Sequence, residues 1–232
     1  MPSPSLESLL EQADVGAWDR LRDHYAARNS AISDPYQVDL VTRLEHNYAK
    51  YFDLETWLKY HLRHVLAMGL HTEQHPKRIL DVGCGSGIFL YIAKVLGHDG
   101  IGMDVNSPMY MQMAACLGVD YLPDLVHPKT RLDARLTGFD LITAIAIKFD
   151  RGDFARPGAA SWDLGEWQFF LADLKSRMND GGRLYLKPNL FAPDRLFEDE
   201  SITAYLTDIA TKATPSFEFV IERDRLPEFQ AS

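Results

Sequence analysis

Apolar residues are spaced differently in two regions of the 232-residue chain. Up to about residue 72 they recur every three or four positions, as in Leu54, Leu58, Leu62 and Val65, and this spacing predicts amphipathic helices. From residue 78 onwards, short apolar runs alternate with helical stretches. The runs predict strands over 78–83, 100–105, 119–123, 139–147, 183–188 and 217–222, with helices near 87–97, 107–117, 162–179 and 199–212. Residues 225–232 are interpreted as a short edge strand.

The alternation of strands and helices indicates an α/β fold. Strands that are almost uninterrupted in their apolar character are typical of a parallel sheet with helices on both faces. We therefore expect a doubly wound sheet of six or seven mostly parallel strands. Residues 1–74 are expected to form an N-terminal helical cap, and residues 75–232 the domain that carries the sheet.

The net charge, the lengths of the apolar stretches and the N-terminal sequence indicate which classes of binding partner to expect. The formal net charge is −9, whereas attraction to a phosphate backbone needs a local excess of Lys and Arg. No apolar stretch is long enough to span a bilayer. The N-terminus, MPSPSLESLLEQ, lacks the basic region and apolar run of a secretory signal. These features favour a cytoplasmic protein that does not bind membranes, and they disfavour nucleic acid as its partner.

A glycine-rich loop follows the first predicted strand in the sequence RILDVGCGSG, residues 78–87. Glycine at every second position lets the backbone approach a ligand closely, and the helix that follows offers unpaired N–H donors. A dinucleotide site would have the spacing G-x-G-x-x-G. Here the spacing is G-x-G-x-G, and Asp81 would repel a pyrophosphate but attract an ammonium or sulfonium cation. Asp104, 21 residues beyond Gly83 at the end of the second strand, can accept hydrogen bonds from ribose hydroxyls.

These residues resemble a known family. DVGCGSG with MDV downstream is similar to the first two motifs of the class I S-adenosylmethionine-dependent methyltransferases, which have a Rossmann-like fold. Residues 139–147 and 180–186 resemble the family's fourth strand and the turn and strand after its fifth helix. The resemblance implies that the cofactor is S-adenosylmethionine, and that its methionine portion is surrounded by Asp81, Gly83, Cys84, Gly85, Ser86 and Gly87.

The resemblance also implies contacts to the rest of the cofactor. Asp104 would bind the ribose, Val105 would lie against the adenine, and the backbone at Ala144 would meet the amino group. The stretch 119–133 after the third strand is longer than is usual in the family, so no acidic residue is assigned to the adenine. Residues 46–57 lie where such enzymes carry a lid over the cofactor. Within them Tyr51 is the candidate to face the sulfonium, because aromatic faces attract cations.

The methyl acceptor is expected beyond the fourth strand, because ligands bind at the carboxyl ends of parallel strands. Lys148 and Asp150 lie in a loop, residues 148–162, that is dense in charged and aromatic side chains, and Asn189 follows the fifth strand. These three are the candidate catalytic residues. The alternative for residues 148–162 is a solvated loop that only caps the sheet, and the alternative for Asn189 is a residue that only forms a turn. Methyl transfer depends largely on positioning, so a catalytic base is needed only where the acceptor must lose a proton.

Two other functions stay open. Lys148, Asp150, Lys187 and Glu222 follow the order of the lysine–aspartate–lysine–glutamate set of ribose 2′-O-methyltransferases, although only Lys50 or Lys59 could supply the first lysine. A cofactor-binding module without catalysis is the other. The expected function is methyl transfer to oxygen or nitrogen of a small or medium-sized polar molecule. No metal site is expected, because His61 and His64 have no cysteine or carboxylate in a matching position.

Overall fold

A computed structural model describes residues 4–33, 49–147, 149, 161–190, 192 and 195–229. Its strands are β1 Arg78–Val82, β2 Asp99–Asp104, β3 Asp120–Pro123, β4 Phe139–Ile145, β5 Met178–Lys187, β6 Lys212–Ala213 and β7 Phe219–Glu222. Its α-helices are α1 Leu6–Gln12, α2 Val15–Ser30, α3 Leu54–Ala67, α4 Ile88–Val95, α5 Pro108–Cys116, α6 Leu164–Arg177 and α7 Glu200–Ile209. Short 3-10 turns cover Ala49–Phe52, Leu70–Thr72 and Arg223–Arg225.

The strands form one seven-stranded sheet in the order β3-β2-β1-β4-β5-β7-β6. The pairs β2–β3, β1–β4 and β4–β5 are parallel, while β5–β7 and β6–β7 are antiparallel. The strand order runs outwards in both directions from β1, as in a doubly wound sheet. The expected fold class, a mostly parallel Rossmann-like α/β sheet, is therefore confirmed.

Helix starts are fixed by side chains that the sequence supplies. Asp53 caps α3 by accepting the N–H of Thr56 at 3.2 Å. At α6, Asp163 and Glu166 form a reciprocal capping box, so the helix begins at Leu164 rather than at residue 162. Gly69, with φ of +73°, terminates the α3 region in the left-handed conformation.

Two predicted strands differ from those observed. β5 begins at Met178, five residues early, because Met178 pairs with Phe139 before a bulge that ends at Arg183. The edge strand predicted for 225–232 is wrong for 225–229, the part described. Pro227 has no N–H to donate to a sheet, and the carbonyl of Leu226 accepts a hydrogen bond from Lys175 Nζ at 2.9 Å. The sheet edge is the two-residue β6 instead.

Contacts group the chain into two compact units, Met1–Pro76 with Cys84–Asp124, and Lys77–Gly83 with Leu125–Ser232. In the first unit, α1 is bound to α4 because the hydroxyl of Tyr91 donates to the carbonyl of Leu9 at 2.6 Å. The indole of Trp18 donates to the carbonyl of Phe52 at 2.9 Å. The described N-terminal helices thus pack on α4 and α5, and the proposed cap boundary at residue 74 stays a prediction.

The second unit has an aromatic core beneath α6. Asp173 and Arg177 on this helix are both buried and form an ion pair at 3.0 Å. Arg177 also donates to the carbonyls of Leu132 and Asp133, each at 2.6 Å, and thereby holds the segment between β3 and β4.

Within the ranges given above, no helix is both long and apolar enough to cross a lipid bilayer.

Candidate functional site

The glycine loop connects β1 to α4, and its three glycines have positive φ for different reasons. A Cβ at Gly83 would lie 2.8 Å from Cδ1 of Ile147, and one at Gly87 would lie 3.0 Å from Cγ1 of Val119. These two glycines are required by packing. At Gly85, φ is +53° and a Cβ would meet no described atom within 4 Å. Gly85 therefore borders space that no described residue fills.

Asp104 lies at the end of β2 and is bound to this loop. Its Oδ2 accepts the N–H of Gly85 at 2.6 Å, and its Oδ1 accepts the N–H of Val105 at 2.7 Å. Burial raises the pKa of Asp104, while the bonds from Val105 and Gly85 act in the opposite direction. Each carboxylate oxygen has two lone pairs. Both oxygens therefore keep capacity for ribose hydroxyls beside Gly85.

Cys84 and Ser86, on either side of Gly85, are both buried. The N–H of Cys84 donates to the carbonyl of Met103 at 3.1 Å. A Cβ at Gly102 would lie 2.5 Å from Sγ of Cys84, so Gly102 leaves room for this thiol. The side chain of Cys84 packs against β2, and its backbone holds the loop in place.

Asp81, in the second unit, is 2% exposed, and its Oδ1 accepts the hydroxyl of Thr143 at 2.6 Å. The two residues are register partners on β1 and β4, and Ala144 follows on β4, fully buried. Burying a carboxylate is costly unless it is hydrogen-bonded or meets a cation. Thr143 was not identified from the sequence. The only hint is that it is a polar residue within the apolar run FDLITAIAI.

Asn189 lies at the end of β5 and is bound to the segment after β4. Its Nδ2 donates to the carbonyl of Ala146 at 2.6 Å, and its N–H donates to that of Ile147 at 2.9 Å. These bonds engage its backbone and its amide nitrogen. The amide oxygen of this exposed side chain is the atom that could bind an acceptor. Whether Asn189 acts on an acceptor stays a prediction.

The four-residue set of ribose 2′-O-methyltransferases is not assembled by β5 and β7. Nζ of Lys187 is 2.8 Å from Oε1 of Glu218, whereas Glu222 is the register partner of Arg183. Four residues of strand, roughly 13 Å at the usual rise, separate Lys187 from the position opposite Glu222. Lys59, one candidate for the first lysine, pairs with Glu55 on α3.

The loop after β4 falls partly outside the described residues, which exclude Lys148 and Asp150. Phe149 and Trp162, which the sequence suggested as part of an acceptor pocket, lie in the core instead. Both are buried, and their rings lie 4.4 and 5.8 Å from that of Trp167. These two aromatic residues complete the core beneath α6. The expectation that they line an acceptor pocket is therefore wrong.

Tyr51 lies in the 3-10 turn before α3 and is half-buried. Its ring centroid is 4.5 Å from that of Trp57 and 6.0 Å from that of Tyr110, at the start of α5. Nζ of Lys50 lies 5.2 Å from the same ring. Tyr51 therefore already faces a cation, and its assignment to the sulfonium stays a prediction. Tyr48 lies outside the described residues.

His61 and His64 belong to an aromatic cluster on α3, with ring centroids 6.4 Å apart. Burial, followed by the charges of His64 and Arg63, lowers the pKa of His61 to about 3. Both rings contact Tyr60, and His61 also contacts Phe89. These aromatic contacts are typical of packing residues.

No protein-family model matches the chain. Over 87 residues it is 34% identical to the tRNA U34 carboxymethyltransferase of Pseudomonas fluorescens, and over 87 residues 36% identical to that of Pseudomonas savastanoi. Each match covers 35% of this chain and 27% of the relative. The chain thus spans about a quarter of the length of the curated relatives it matches.

Solved structures with a similar fold include two named as methyltransferases. An amino pentose methyltransferase from Micromonospora echinaspora, with S-adenosylmethionine bound, is 23% identical over 60% of this chain and 53% of its own, with a TM-score of 0.41. A TehB-like S-adenosylmethionine-dependent methyltransferase from Corynebacterium glutamicum is 16% identical over 73% and 95%, with a TM-score of 0.44.

Proposed function

We propose that the chain is a class I S-adenosylmethionine-dependent methyltransferase that acts on oxygen or nitrogen of a small or medium-sized polar molecule. The observation that carries this proposal is the geometry of Gly85. This glycine borders space that no described residue fills, in a loop that Asp104 fastens to the end of β2. A nucleoside ligand without phosphate suits this arrangement, because a carboxylate can accept from ribose hydroxyls and would repel a phosphate.

The cofactor residues are proposed from the family resemblance, and contacts within each unit support them. Asp81 supplies a buried carboxylate beside Thr143 for the ammonium group. Gly85, Ser86 and Gly87 lead into α4, whose first N–H groups are free of intrahelical partners. Val105 would lie against the adenine and the backbone of Ala144 would bind the amino group. When bound, the cofactor supplies a methyl group already activated by the sulfonium. The protein then has only to hold and orient the two reactants.

For the acceptor we propose Lys148, Asp150 and Asn189. Asn189 is fastened to the segment after β4, and its amide oxygen can accept a hydrogen bond from a hydroxyl or amine. Asp150 could take the proton that such a group loses on methylation. Residues 1–74, as a helical cap with Tyr51, would cover the reactants and exclude water.

A second candidate acceptor is a transfer-RNA nucleoside. The curated relatives are named for the modification of tRNA U34, which weighs against excluding nucleic acid on net charge alone. The match covers 27% of these relatives, which is too little to carry their named activity over to this chain. We therefore keep the small-molecule acceptor as the first candidate, and a binding module without catalysis is the remaining alternative.

The test is transfer of a labelled methyl group from S-adenosylmethionine to a cell extract divided into a small-molecule fraction and a total-RNA fraction. We expect label in the small-molecule fraction, with the Gly85→Ala variant as a control for contaminating enzymes. Label that enters RNA and is released by nuclease would favour the second candidate. Binding of the cofactor with no transfer to either fraction would favour the non-catalytic module.

A further inference from the structure

Tyr121 on β3 is a half-buried polar residue that the site described above does not use. Its hydroxyl donates to the carbonyl of Val105 at 2.6 Å. Its register partner on β2 is Gly102, which has no side chain and leaves space for the thiol of Cys84. Parallel register partners point to the same face of a sheet. Tyr121 and Cys84 therefore share the face from which the carboxylate of Asp104, two residues beyond Gly102, also projects.

Three hydrogen bonds connect Tyr121 to the glycine loop, all within the first unit. The hydroxyl of Tyr121 fixes the carbonyl of Val105, and the N–H of Val105 donates to Oδ1 of Asp104 at 2.7 Å. Oδ2 of Asp104 then accepts the N–H of Gly85 at 2.6 Å. The N–H and the carbonyl of Val105 belong to neighbouring peptide groups, and the carbonyl also accepts the N–H of Ser107 at 2.7 Å. Tyr121 therefore acts on the Asp104 carboxylate through the backbone conformation of Val105.

The hydroxyl of Tyr121 is a donor at every physiological pH. Burial raises its pKa, and the nearby charges of Asp104 and Cys84 raise it further. Because the phenol stays protonated, it donates its hydrogen bond to the Val105 carbonyl. Both oxygens of Asp104 are then left to accept hydrogen bonds from the backbone and from a ligand.

We infer that Tyr121 is a positioning residue for the nucleoside half of the cofactor. It holds Val105, and through Val105 the Asp104 carboxylate, in the orientation that receives the ribose hydroxyls. The inference rests on the proposed function, because it assumes a nucleoside ligand beside Gly85. It adds a residue from the third strand that acts through hydrogen bonds and does not itself contact the ribose.

The experiment compares Tyr121→Phe with Tyr91→Phe. Both substitutions remove a tyrosine hydroxyl that donates to a backbone carbonyl at 2.6 Å, but the bond of Tyr91 goes to Leu9 in α1. Calorimetry measures the affinity of each variant and of the unaltered protein for S-adenosylhomocysteine. A second titration uses the analogue of this ligand that lacks the 2′ and 3′ hydroxyls. Thermal unfolding establishes that both variants are folded.

Tyr121→Phe should weaken S-adenosylhomocysteine binding about fivefold, which is about 1 kcal/mol, while Tyr91→Phe leaves it unchanged. For the analogue without ribose hydroxyls, Tyr121→Phe and the unaltered protein should bind equally. An equal loss for both ligands would show general loosening and overturn the inference, as would no loss for either. If the unaltered protein fails to bind S-adenosylhomocysteine, the proposed function itself fails, and the role of Tyr121 with it.

Discussion

The backbone N–H of Gly85 donates a 2.6 Å hydrogen bond to Oδ2 of Asp104, so the middle of the glycine loop is fastened to the end of β2. The sequence suggested separate tasks for these residues, close approach for the glycine and ribose binding for the carboxylate. The structure shows that the two residues are hydrogen-bonded to each other. A substitution at Asp104 therefore changes both a ligand contact and the anchoring of the loop.

Asp104→Asn keeps the shape of the side chain and removes its charge. We expect it to weaken S-adenosylhomocysteine binding by about 1.5–3 kcal/mol, the range for hydrogen bonds to charged groups. One amide group must also face two N–H donors with a single oxygen, which loosens the loop. Calorimetry at neutral pH measures the loss. Unchanged affinity in a folded Asp104→Asn protein would remove Asp104 from the site.

The same substitution makes a prediction about pH. Burial raises the pKa of Asp104 above its ordinary value of 3.8. The charged carboxylate is the form that attracts ribose hydroxyls, so affinity is highest above this raised pKa and is lost as the pH falls through it. Titrations from neutral to mildly acidic pH should show this loss, while Asp104→Asn shows none. A parallel decline in both proteins would assign the effect to another group.

The Arg177–Asp173 pair gives a prediction for stability. Arg177→Met removes the partner of a carboxylate that is 1% exposed and the donor to the carbonyls of Leu132 and Asp133. Leaving a buried charge unpaired should lower the free energy of unfolding by about 3–5 kcal/mol. Arg22→Met, which breaks a solvent-exposed ion pair with Asp19, is the matched control and should change little in urea denaturation. Similar midpoints for the two variants would contradict this account.

Asp150→Asn tests the acceptor side of the proposal. Because Asp150 is assigned to the acceptor and not to the cofactor, affinity for S-adenosylhomocysteine should stay within about threefold, under 1 kcal/mol. Turnover on an acceptor found in the labelled extract should fall at least about tenfold, the lower range for losing a general base. Unaffected turnover would exclude Asp150, and lost cofactor affinity would move this loop to the cofactor half.

The fold and the glycine loop could be predicted because their determinants are local. Alternating apolar runs specify strands, and the spacing of Gly83, Gly85 and Gly87 reflects a turn that few other residues allow. The caps at Asp53 and Asp163 are local as well, since each bonds to a residue three positions away.

The residues that sequence reasoning missed depend on contacts between distant segments. Thr143 reaches Asp81 across 62 positions, and Tyr121 reaches Val105 across 16, so neither has a motif. Phe149 and Trp162 were misassigned for the same reason. An aromatic residue in a loop can face a ligand or fill the core. The ring contacts of Phe149 and Trp162 with Trp167 show that these two fill the core, and the sequence does not reveal those contacts.

The most direct test of the central claim is calorimetric titration of S-adenosylhomocysteine into Gly85→Ala and Gly181→Ala side by side. Both glycines have positive φ, and a Cβ at either meets no described atom within 4 Å, but Gly181 lies in the bulge of β5. Each alanine should therefore cost similar stability, about 1–2 kcal/mol for the left-handed conformation. Gly85→Ala should lose at least about tenfold in affinity, about 1.4 kcal/mol, because its methyl group enters the ligand's space, while Gly181→Ala binds like the unaltered protein. Equal affinities in all three proteins would contradict the assignment of this loop to the cofactor.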